Sequence, residues 1–321
     1  MDKRSTLVTL ALALVAPSAF AQAQDYPNKP VKIIVPVSAG SGTDATARFV
    51  STALAKAWNA SLVVENRPGA GAALGSELVA KAPADGYTLL FAYSAHYSNP
   101  FVMNVGFDAV KDFEPIARLA SSALIVATAP NSKLRTIKDV IAAAKAQPGG
   151  VSYASAGNGS TGHMAGALLG HMAGIELNHI PYKAASQVPV DAAAGVVDFM
   201  IGGLASALPL VKANRLHVIA VTTDKRSANI PEVPTVAESG LPGYENSSPI
   251  WLLAPRGTPE AIVNKLSEAL VRIAATPEFK EYCFHQGIEV DIQNAATARA
   301  NAQAESDKWR RLVQLTAPAN K

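Results

Sequence analysis

Residues 31–48 read VKIIVPVSAGSGTDATAR, a β-branched run followed by a small polar loop and then by helix formers. The run VKIIVPV predicts a buried strand, and the helix is expected to begin at Thr43 or Asp44 and to reach Trp58. The same order recurs where VSYASA leads through a glycine-rich loop to an expected helix from His163 to Ala173. Because strand, short loop and helix form the unit of mostly parallel sheets, these two stretches favour an α/β fold.

Outward from these stretches, strand-like runs alternate with amphipathic helical segments along most of the chain. The further strand-like runs are SLVVENR, TLLFAYS, ALIVATA, LNHIPY, VDFMIG and LHVIAVT. We predict two α/β domains, one made of residues 24–127 and 247–321 and the other of residues 128–246, with crossovers near residues 126 and 248. Ligands of open α/β sheets bind at the carboxyl ends of the strands, so the domains should face each other across a cleft.

Composition excludes several classes of function. The 321 residues are 49% hydrophobic and 17% charged, which is typical of a folded protein with a substantial core. The formal net charge is only +3 and the basic residues are scattered, which argues against a nucleic acid partner. The single cysteine, Cys283, excludes an internal disulfide and is expected to be an apolar filler. His163, His171 and His179 lack the spacing of a helical zinc motif, so neither a metal nor a cofactor is expected.

The first residues have the pattern of a secretory signal peptide. MDKR supplies a basic start, LVTLALALVA is apolar but too short to span a bilayer, and SAFAQAQ offers small-residue cleavage sites after Ala21 or Ala23. We therefore predict that residues 1–23 are a signal peptide. No cysteine follows these sites to accept a lipid, so a soluble protein of the periplasm is expected.

Gly157, Gly159 and Gly162 have the G-x-G-x-x-G spacing of the dinucleotide-binding fingerprint, after a strand-like run and before a helix. That fingerprint also needs an acidic residue at the end of the next strand to hold the ribose. The next strand-like run, LNHIPYK, ends without one, and Glu176 precedes that run. Together with export from the cytoplasm, this argues against a bound nucleotide.

The two glycine-rich loops have the composition of an anion-binding site. Each would expose backbone N–H groups at a helix N-terminus, beside neutral Ser, Thr or Asn side chains. Neither loop contains Lys or Arg, which favours a carboxylate over a phosphate. For either loop alone, a tight turn that needs glycine for positive φ remains an equally good interpretation. The candidate ligand contacts are Ser38, Ala39, Gly40, Ser41, Thr43 and Asp44 in the first loop, and Gly157, Asn158, Gly159, Ser160 and Thr161 in the second.

Ser94 and His96 are further candidates for the same cleft, and the family resemblance given below adds Gly202 and Gly203. His96 closes the run TLLFAYS, and ligand contact and ordinary loop capping are equally good interpretations of it. An exported serine hydrolase using Ser160 and His163 is the alternative function. The chain has no G-x-S-x-G elbow and no Asp placed by sequence to orient His163, so we expect no catalytic residues and a structural hydrogen bond for His163.

The chain resembles the tripartite tricarboxylate transporter family of periplasmic solute-binding proteins, the Bug or TctC-like receptors. The stretches that carry the resemblance are YPNKPVKIIVP, GTDATAR, VVENRPGAG, KAPADGYTLL, FEPIARL, YASAGNGSTGHMAG, HIPYK, RLHVIAVTTDKRSANIPEVPTVAESGLPGYE and LLAPRGTP. The resemblance implies a two-domain Venus-flytrap fold of the type II kind, an organic carboxylate as ligand, and delivery to membrane permease subunits by a monomeric receptor. It also implies that residues 38–44 and 157–161 meet the carboxylate, largely through backbone groups and ordered waters.

Departures from the family pattern bear on the ligand. The first loop has Gly40-Ser41 where two glycines are usual, which adds a hydroxyl. Gly202 and Gly203 stand where the family often has an acidic residue and Asn, so this wall is wider and lacks an acceptor for an amino group. The resemblance thus disfavours an amino acid and favours a bulkier or aromatic carboxylate. Trp251 stands where a small residue is more usual, which predicts an aromatic face near the hinge or cleft.

Overall fold

The computed structural model describes residues 25–316, so the predicted signal peptide and its cleavage sites lie outside the described residues. The strands are β1 (Val31–Val35), β2 (Leu62–Asn66), β3 (Thr88–Ala92), β4 (Phe113–Ser122), β5 (Leu124–Thr128), β6 (Ser152–Ser155), β7 (Asn178–Pro181), β8 (Phe199–Gly203), β9 (His217–Val221), β10 (Ser248–Pro255) and β11 (Ile288–Gln293). The helices are α1 (Gly42–Trp58), α2 (Ala73–Ala80), α3 (Ser94–Val102), α4 (Ile137–Ala146), α5 (Thr161–Ala173), α6 (Val188–Ala193), α7 (Leu204–Lys212), α8 (Glu260–Ala275), α9 (Pro277–Gln286) and α10 (Ala295–Thr316).

Two mixed sheets organise these elements, which confirms the predicted α/β class. The first has the strand order β11-β4-β10-β3-β1-β2, and the second has the order β7-β6-β8-β5-β9. In the first sheet β1 is parallel to β2 and β3, whereas β10 lies antiparallel between β3 and β4. In the second sheet β6 is parallel to β7 and β8, and β5 is antiparallel to β8 and β9. We call each sheet with its helices a lobe.

The chain changes lobes at Ala123, between β4 and β5. The predicted boundary after residue 127 is wrong for β5, since this strand pairs with β8 and β9 of the second sheet. Its apolar run looks the same whichever sheet it joins, so the sequence pattern could not assign it. The chain returns to the first lobe just before β10, where the N–H of Asn246 donates to the carbonyl of Thr222 at 2.8 Å.

Apolar side chains cover both faces of each sheet. The first sheet lies between a cluster with Phe91 and Leu252 and another with Tyr97 and Trp251. Cys283 is packed in the first of these, which confirms its predicted place as an apolar filler, and burial raises the pKa of its thiol to about 12. Trp251 is fully buried in its cluster, so it presents no aromatic face to the cleft, although it lies in β10 close to the crossing between the lobes. Its strand β10 is central in the sheet and covered on both faces.

The C-terminal helix α10 connects the two lobes. It packs against β4 and α3 of the first lobe and against α5 of the second. Met164 of α5 is fully buried in the same apolar cluster as Trp309 and Leu312 of α10. Within residues 25–316, none of the helices combines the length and apolar character that a membrane crossing requires.

Candidate functional site

The two glycine-rich loops leave their sheets at corresponding places. The loop of residues 36–41 follows β1, and the loop of residues 156–160 follows β6, each at the carboxyl end of a parallel strand. The lobes meet beside these loops, where Ser94 Oγ and Thr161 Oγ1 lie 3.0 Å apart and Ser248 Oγ lies 3.0 Å from Ser94 Oγ. Ser94 and Thr161, both predicted site residues, are therefore brought together from different lobes.

The first loop is closed by its own side chains. Ser41 is the N-cap of α1, and its Oγ accepts from the N–H of Asp44 at 3.2 Å. The N–H of Gly40 donates to Asp44 Oδ2 at 2.9 Å, with Gly40 at a φ of +83°. This cap starts α1 at Gly42, before the predicted start. Ser38, Ala39 and Gly40 are exposed on the loop, and Thr43 is half-buried in the first helical turn.

Asp44, predicted as a ligand contact, instead forms hydrogen bonds within and beside the first loop. Its side chain is buried, and its carboxylate also accepts from Arg48 Nε at 3.1 Å and from Asn66 Nδ2 at 2.8 Å. Burial alone would raise the pKa of this carboxyl, but the hydrogen bonds from Arg48, Gly40 and Asn66 hold it below its usual range. Asp44 is thus an anion that fixes the shape of the loop.

The second loop repeats this arrangement. Ser160 is the N-cap of α5, and its Oγ accepts from the N–H of His163 at 3.2 Å. The N–H of Gly159 donates to His163 Nδ1 at 3.1 Å, with Gly159 at a φ of +75°. Both loops therefore have a Gly-Ser pair whose glycine N–H is held by the side chain four residues later. This shared pattern was not predicted, although the sequence carries its signal: Asp44 and His163 each stand four residues after the glycine of a Gly-Ser pair.

Backbone N–H groups at the helix starts remain for a ligand. The first-turn N–H groups of Gly42 and Thr43 in α1 and of Thr161 in α5 have no acceptor among the described residues. Helix N-termini carry partial positive charge, so two of them beside one cleft favour an anion. The predicted hydroxyl donor Ser160 is already engaged, since its Oγ donates to Ser155 Oγ at 3.2 Å. In the same loop, Gly157 is half-buried and Asn158 is exposed.

His96 does not reach the cleft. It is 1% exposed, with its Nδ1 3.1 Å from Ser76 Oγ and its Nε2 3.0 Å from the carbonyl oxygen of Ala109. Phe107 and Phe113 pack on its ring, and burial lowers its pKa to about 4. The ligand-contact interpretation of His96 is therefore wrong, because α3 directs this side chain into the core of the first lobe.

Gly202 and Gly203 end β8 beside the crossing between lobes. The N–H of the next residue, Leu204, donates to the carbonyl of Ala123 at 3.2 Å. A Cβ built on Gly202 would lie 2.9 Å from Met200 Cε, whereas a Cβ on Gly203 would meet nothing within 4 Å. Gly203 therefore leaves open space at this wall, at the N-terminus of α7.

Local packing explains the G-x-G-x-x-G spacing without a nucleotide. Gly157 and Gly159 have positive φ, and a Cβ on Gly162 would lie 2.4 Å from the carbonyl oxygen of Ile201. The third glycine thus allows α5 to pack closely on β8.

Replacing Gly162 tests this packing. We expect Gly162→Ala to lower the free energy of unfolding by about 1–3 kcal/mol, because the new methyl group must push α5 away from β8. Urea unfolding measures the change. Gly203→Ala is the control, since its Cβ meets open space. Equal stability of the two variants would contradict this explanation.

In this structure His163 is not placed to act as the general base of the alternative serine hydrolase. In a catalytic pair, the imidazole accepts the proton of the nucleophilic hydroxyl. Here His163 Nδ1 accepts from the backbone of Gly159, and the hydroxyl of Ser160 donates to Ser155 Oγ. This confirms the predicted structural hydrogen bond of His163. Within residues 25–316, no group of three or more His, Cys, Asp or Glu side chains could hold a metal ion.

Comparison with known proteins identifies the family of this chain. A family model described as "Tripartite tricarboxylate transporter family receptor" matches residues 46–317. Protein BugT of Bordetella pertussis is similar, with 30% identity over 98% of this chain and 98% of its own length. A structure of an R. palustris protein with adipate has 30% identity and a TM-score of 0.79, covering 91% of this chain and 98% of that one. MatC from Rhodopseudomonas palustris with bound malate has 26% identity and a TM-score of 0.75, covering 90% of this chain and all of that one (100%). The chain belongs to the tripartite tricarboxylate transporter family of receptors.

Proposed function

We propose that this receptor captures an organic carboxylate between its two lobes, closes over it and delivers it to the membrane permease subunits of a tripartite transporter. The observation that carries this proposal is the pair of matched loops, one from each lobe, that hold the N-termini of α1 and α5 beside one cleft. A carboxylate lying between them would accept from both helix starts and so favour closure.

Charge around the loops supports a carboxylate held by neutral donors. The nearby guanidinium of Arg48 is bound to Asp44, and that of Arg67 donates to Glu65 at 2.6 Å. These pairs leave backbone N–H groups and small polar side chains as the donors closest to the helix starts. Such donors suit a carboxylate, whose charge is smaller than that of a phosphate.

The class of carboxylate follows from the wall at Gly203. The related proteins with adipate and malate were both solved with dicarboxylates. The open space at Gly203 adds room, and no acidic side chain stands at Gly202 or Gly203 to hold an amino group. We therefore favour a dicarboxylate or a bulky or aromatic monocarboxylate over an amino acid.

Export completes the proposal. Residues 1–23 would direct the chain to the periplasm and be removed after Ala21 or Ala23. A soluble monomer made of the two lobes would then meet both the ligand and the permease at the outer face of the inner membrane. Mass spectrometry of the periplasmic protein tests the cleavage: a mass that retains Lys3 and Arg4 would contradict it.

A thermal-shift screen tests the ligand class. Aliphatic and aromatic mono- and dicarboxylates, including adipate and malate, are compared with amino acids, NAD and ATP. A ligand that binds the folded state alone at a hundred times its Kd stabilises it by about 2.7 kcal/mol, which shifts the Tm of a chain this size by several degrees. We expect at least one carboxylate to do so and the nucleotides to have no effect. A shift with NAD or ATP and none with any carboxylate would contradict the proposal.

A further inference from the structure

His163 occupies in the second loop the place that Asp44 occupies in the first. Each side chain accepts from the N–H of the glycine four residues earlier, at 3.1 Å for Gly159 and at 2.9 Å for Gly40. An N–H donor requires a lone pair on its acceptor. Nδ1 of His163 must therefore carry no proton, which leaves the ring proton of the neutral imidazole on Nε2.

A network behind the loop holds His163 in this position. The rings of His163 and His179 are stacked, with centroids 4.1 Å apart and planes at 16°. His179 Nε2 lies 2.7 Å from Ser155 Oγ, which accepts from the hydroxyl of the cap residue Ser160 at 3.2 Å. The hydroxyl of Tyr153 donates to the carbonyl of His163 at 3.2 Å. Both imidazoles are thus connected to the loop that starts α5.

The surroundings keep His163 neutral at pH 7. It borders a groove of about 780 Å³ whose other titratable side chains are Lys145 of α4, Tyr153 of β6, His171 of α5, His179 of β7 and Glu176, which precedes β7. Burial lowers the pKa of His163, and burial together with the neighbouring His163 lowers the pKa of His179 to about 4. Burial disfavours a proton on either ring, and protonating both would place two partly buried cations face to face.

We propose that His163 is a positioning residue for ligand binding, whose unprotonated Nδ1 keeps Gly159 and the second loop in binding shape, and whose protonation in mild acid releases the loop. The inference rests on the function proposed above. It makes the two lobes unequal, because Asp44 remains an anion in the same pH range while His163 changes charge. Ligand affinity is therefore set by pH through the second lobe.

Nitrogen-15 NMR of the ligand-free protein tests the hydrogen bond between the N–H of Gly159 and Nδ1 of His163. With 15N in the histidine rings, His163 should show the Nε2–H tautomer at pH 7.5, and its titration should move the amide signal of Gly159 in step. The midpoint should lie below the ordinary histidine value of about 6.5. An Nδ1–H tautomer at neutral pH would overturn the proposal, because a protonated Nδ1 cannot accept from Gly159.

Two substitutions separate the role of His163 as a hydrogen-bond acceptor from its change of charge with pH. His163→Asn keeps an acceptor oxygen near the position of Nδ1 but does not titrate, whereas His163→Phe keeps a stacking ring without an acceptor. His171→Asn is the matched control, because it removes an exposed imidazole from the same helix without a contact to the loop.

Calorimetry measures the affinity of the wild type and of each variant for adipate from pH 7.5 to 5.5. The wild type and His171→Asn should lose affinity as the pH falls through the lowered pKa of His163, by up to about three- to tenfold, which is the worth of one hydrogen bond. His163→Asn should bind like the wild type at pH 7.5 and show only the smaller fall that protonation of adipate itself causes in every variant, and His163→Phe should be weaker by about three- to tenfold throughout. The same fall in His163→Asn, or an affinity of the wild type that rises in acid, would overturn the inference. If adipate does not bind the wild type at any pH, the proposed function fails for this ligand. The NMR titration alone then decides whether unprotonated His163 holds Gly159 and the second loop in place.

Discussion

Gly159→Val should weaken carboxylate binding by about ten- to hundredfold while leaving the fold intact. Gly159 has a φ of +75°, and a Cβ there would meet nothing within 4 Å, so the obstacle is the backbone conformation rather than a clash. A β-branched residue in this region costs about 1–3 kcal/mol, and the loop relieves that strain by moving its N–H groups away from the ligand. Gly40→Val, at a φ of +83°, should act in the same way from the first lobe. Calorimetry with the carboxylate found in the thermal screen measures both.

Gly174→Val is the control for backbone strain. Gly174 has a φ of +62°, and a Cβ there would also meet nothing within 4 Å, but it caps the other end of α5. The helix has 13 residues, which places this site about 20 Å from the second loop. Gly174→Val should lose stability without losing affinity. Full affinity in Gly159→Val, with normal circular dichroism, would mean that the loop is merely a turn and that the ligand binds elsewhere.

Gly203→Asp should also reduce carboxylate affinity by about ten- to hundredfold, by a different mechanism. The new carboxylate would stand at the N-terminus of α7, in open space beside the proposed cleft. Two carboxylates about 6 Å apart repel by about 1–3 kcal/mol at an intermediate effective dielectric constant. Asp is a good N-cap, so the free energy of unfolding should stay the same or rise by a few tenths of a kcal/mol. A loss of affinity without a loss of stability is therefore the expected result.

Gly203→Asn separates charge from volume. Asn has nearly the shape of Asp and is as good an N-cap, but it carries no charge. Its affinity for the carboxylate should stay within about threefold of the wild type, as expected for a neutral side chain that can donate a hydrogen bond. Equal losses in the Asp and Asn variants would show that the ligand's carboxylate is not near Gly203. That result would leave the space at this wall without its proposed role in ligand choice.

The fold could be predicted because its determinants are local. The run VKIIVPV and the loops that follow β1 and β6 fixed the α/β class, since strand, loop and helix signals there act within a few residues. The sheet to which β5 belongs could not be predicted, because Ala123 alone separates it from β4 and its apolar residues suit either sheet. The order of strands depends on such long-range pairing.

The positions of the site loops could be predicted, but the direction of individual side chains could not. His96 lies in the first turn of α3, just beyond the end of β3 where a cleft residue would lie, yet α3 turns it into the core beside Phe107 and Phe113. Asp44 lies in the first turn of α1 and Ser160 ends the second loop, but both use their polar atoms to hold these loops. The equivalence of Asp44 and His163 was not apparent from residue type, because the two side chains differ in charge. They share only an acceptor atom that receives the N–H of the glycine four residues earlier.

Small-angle X-ray scattering with and without the carboxylate tests the central claim most directly. If each lobe contributes one helix N-terminus to a shared carboxylate, binding must bring the lobes together about Ala123 and the segment before β10. The radius of gyration should therefore decrease at saturating ligand, and it should decrease less in Gly159→Val at a ligand concentration that only just fills the wild-type site. An unchanged scattering profile of the wild-type protein, at a concentration where calorimetry shows the site to be full, would contradict capture by closure.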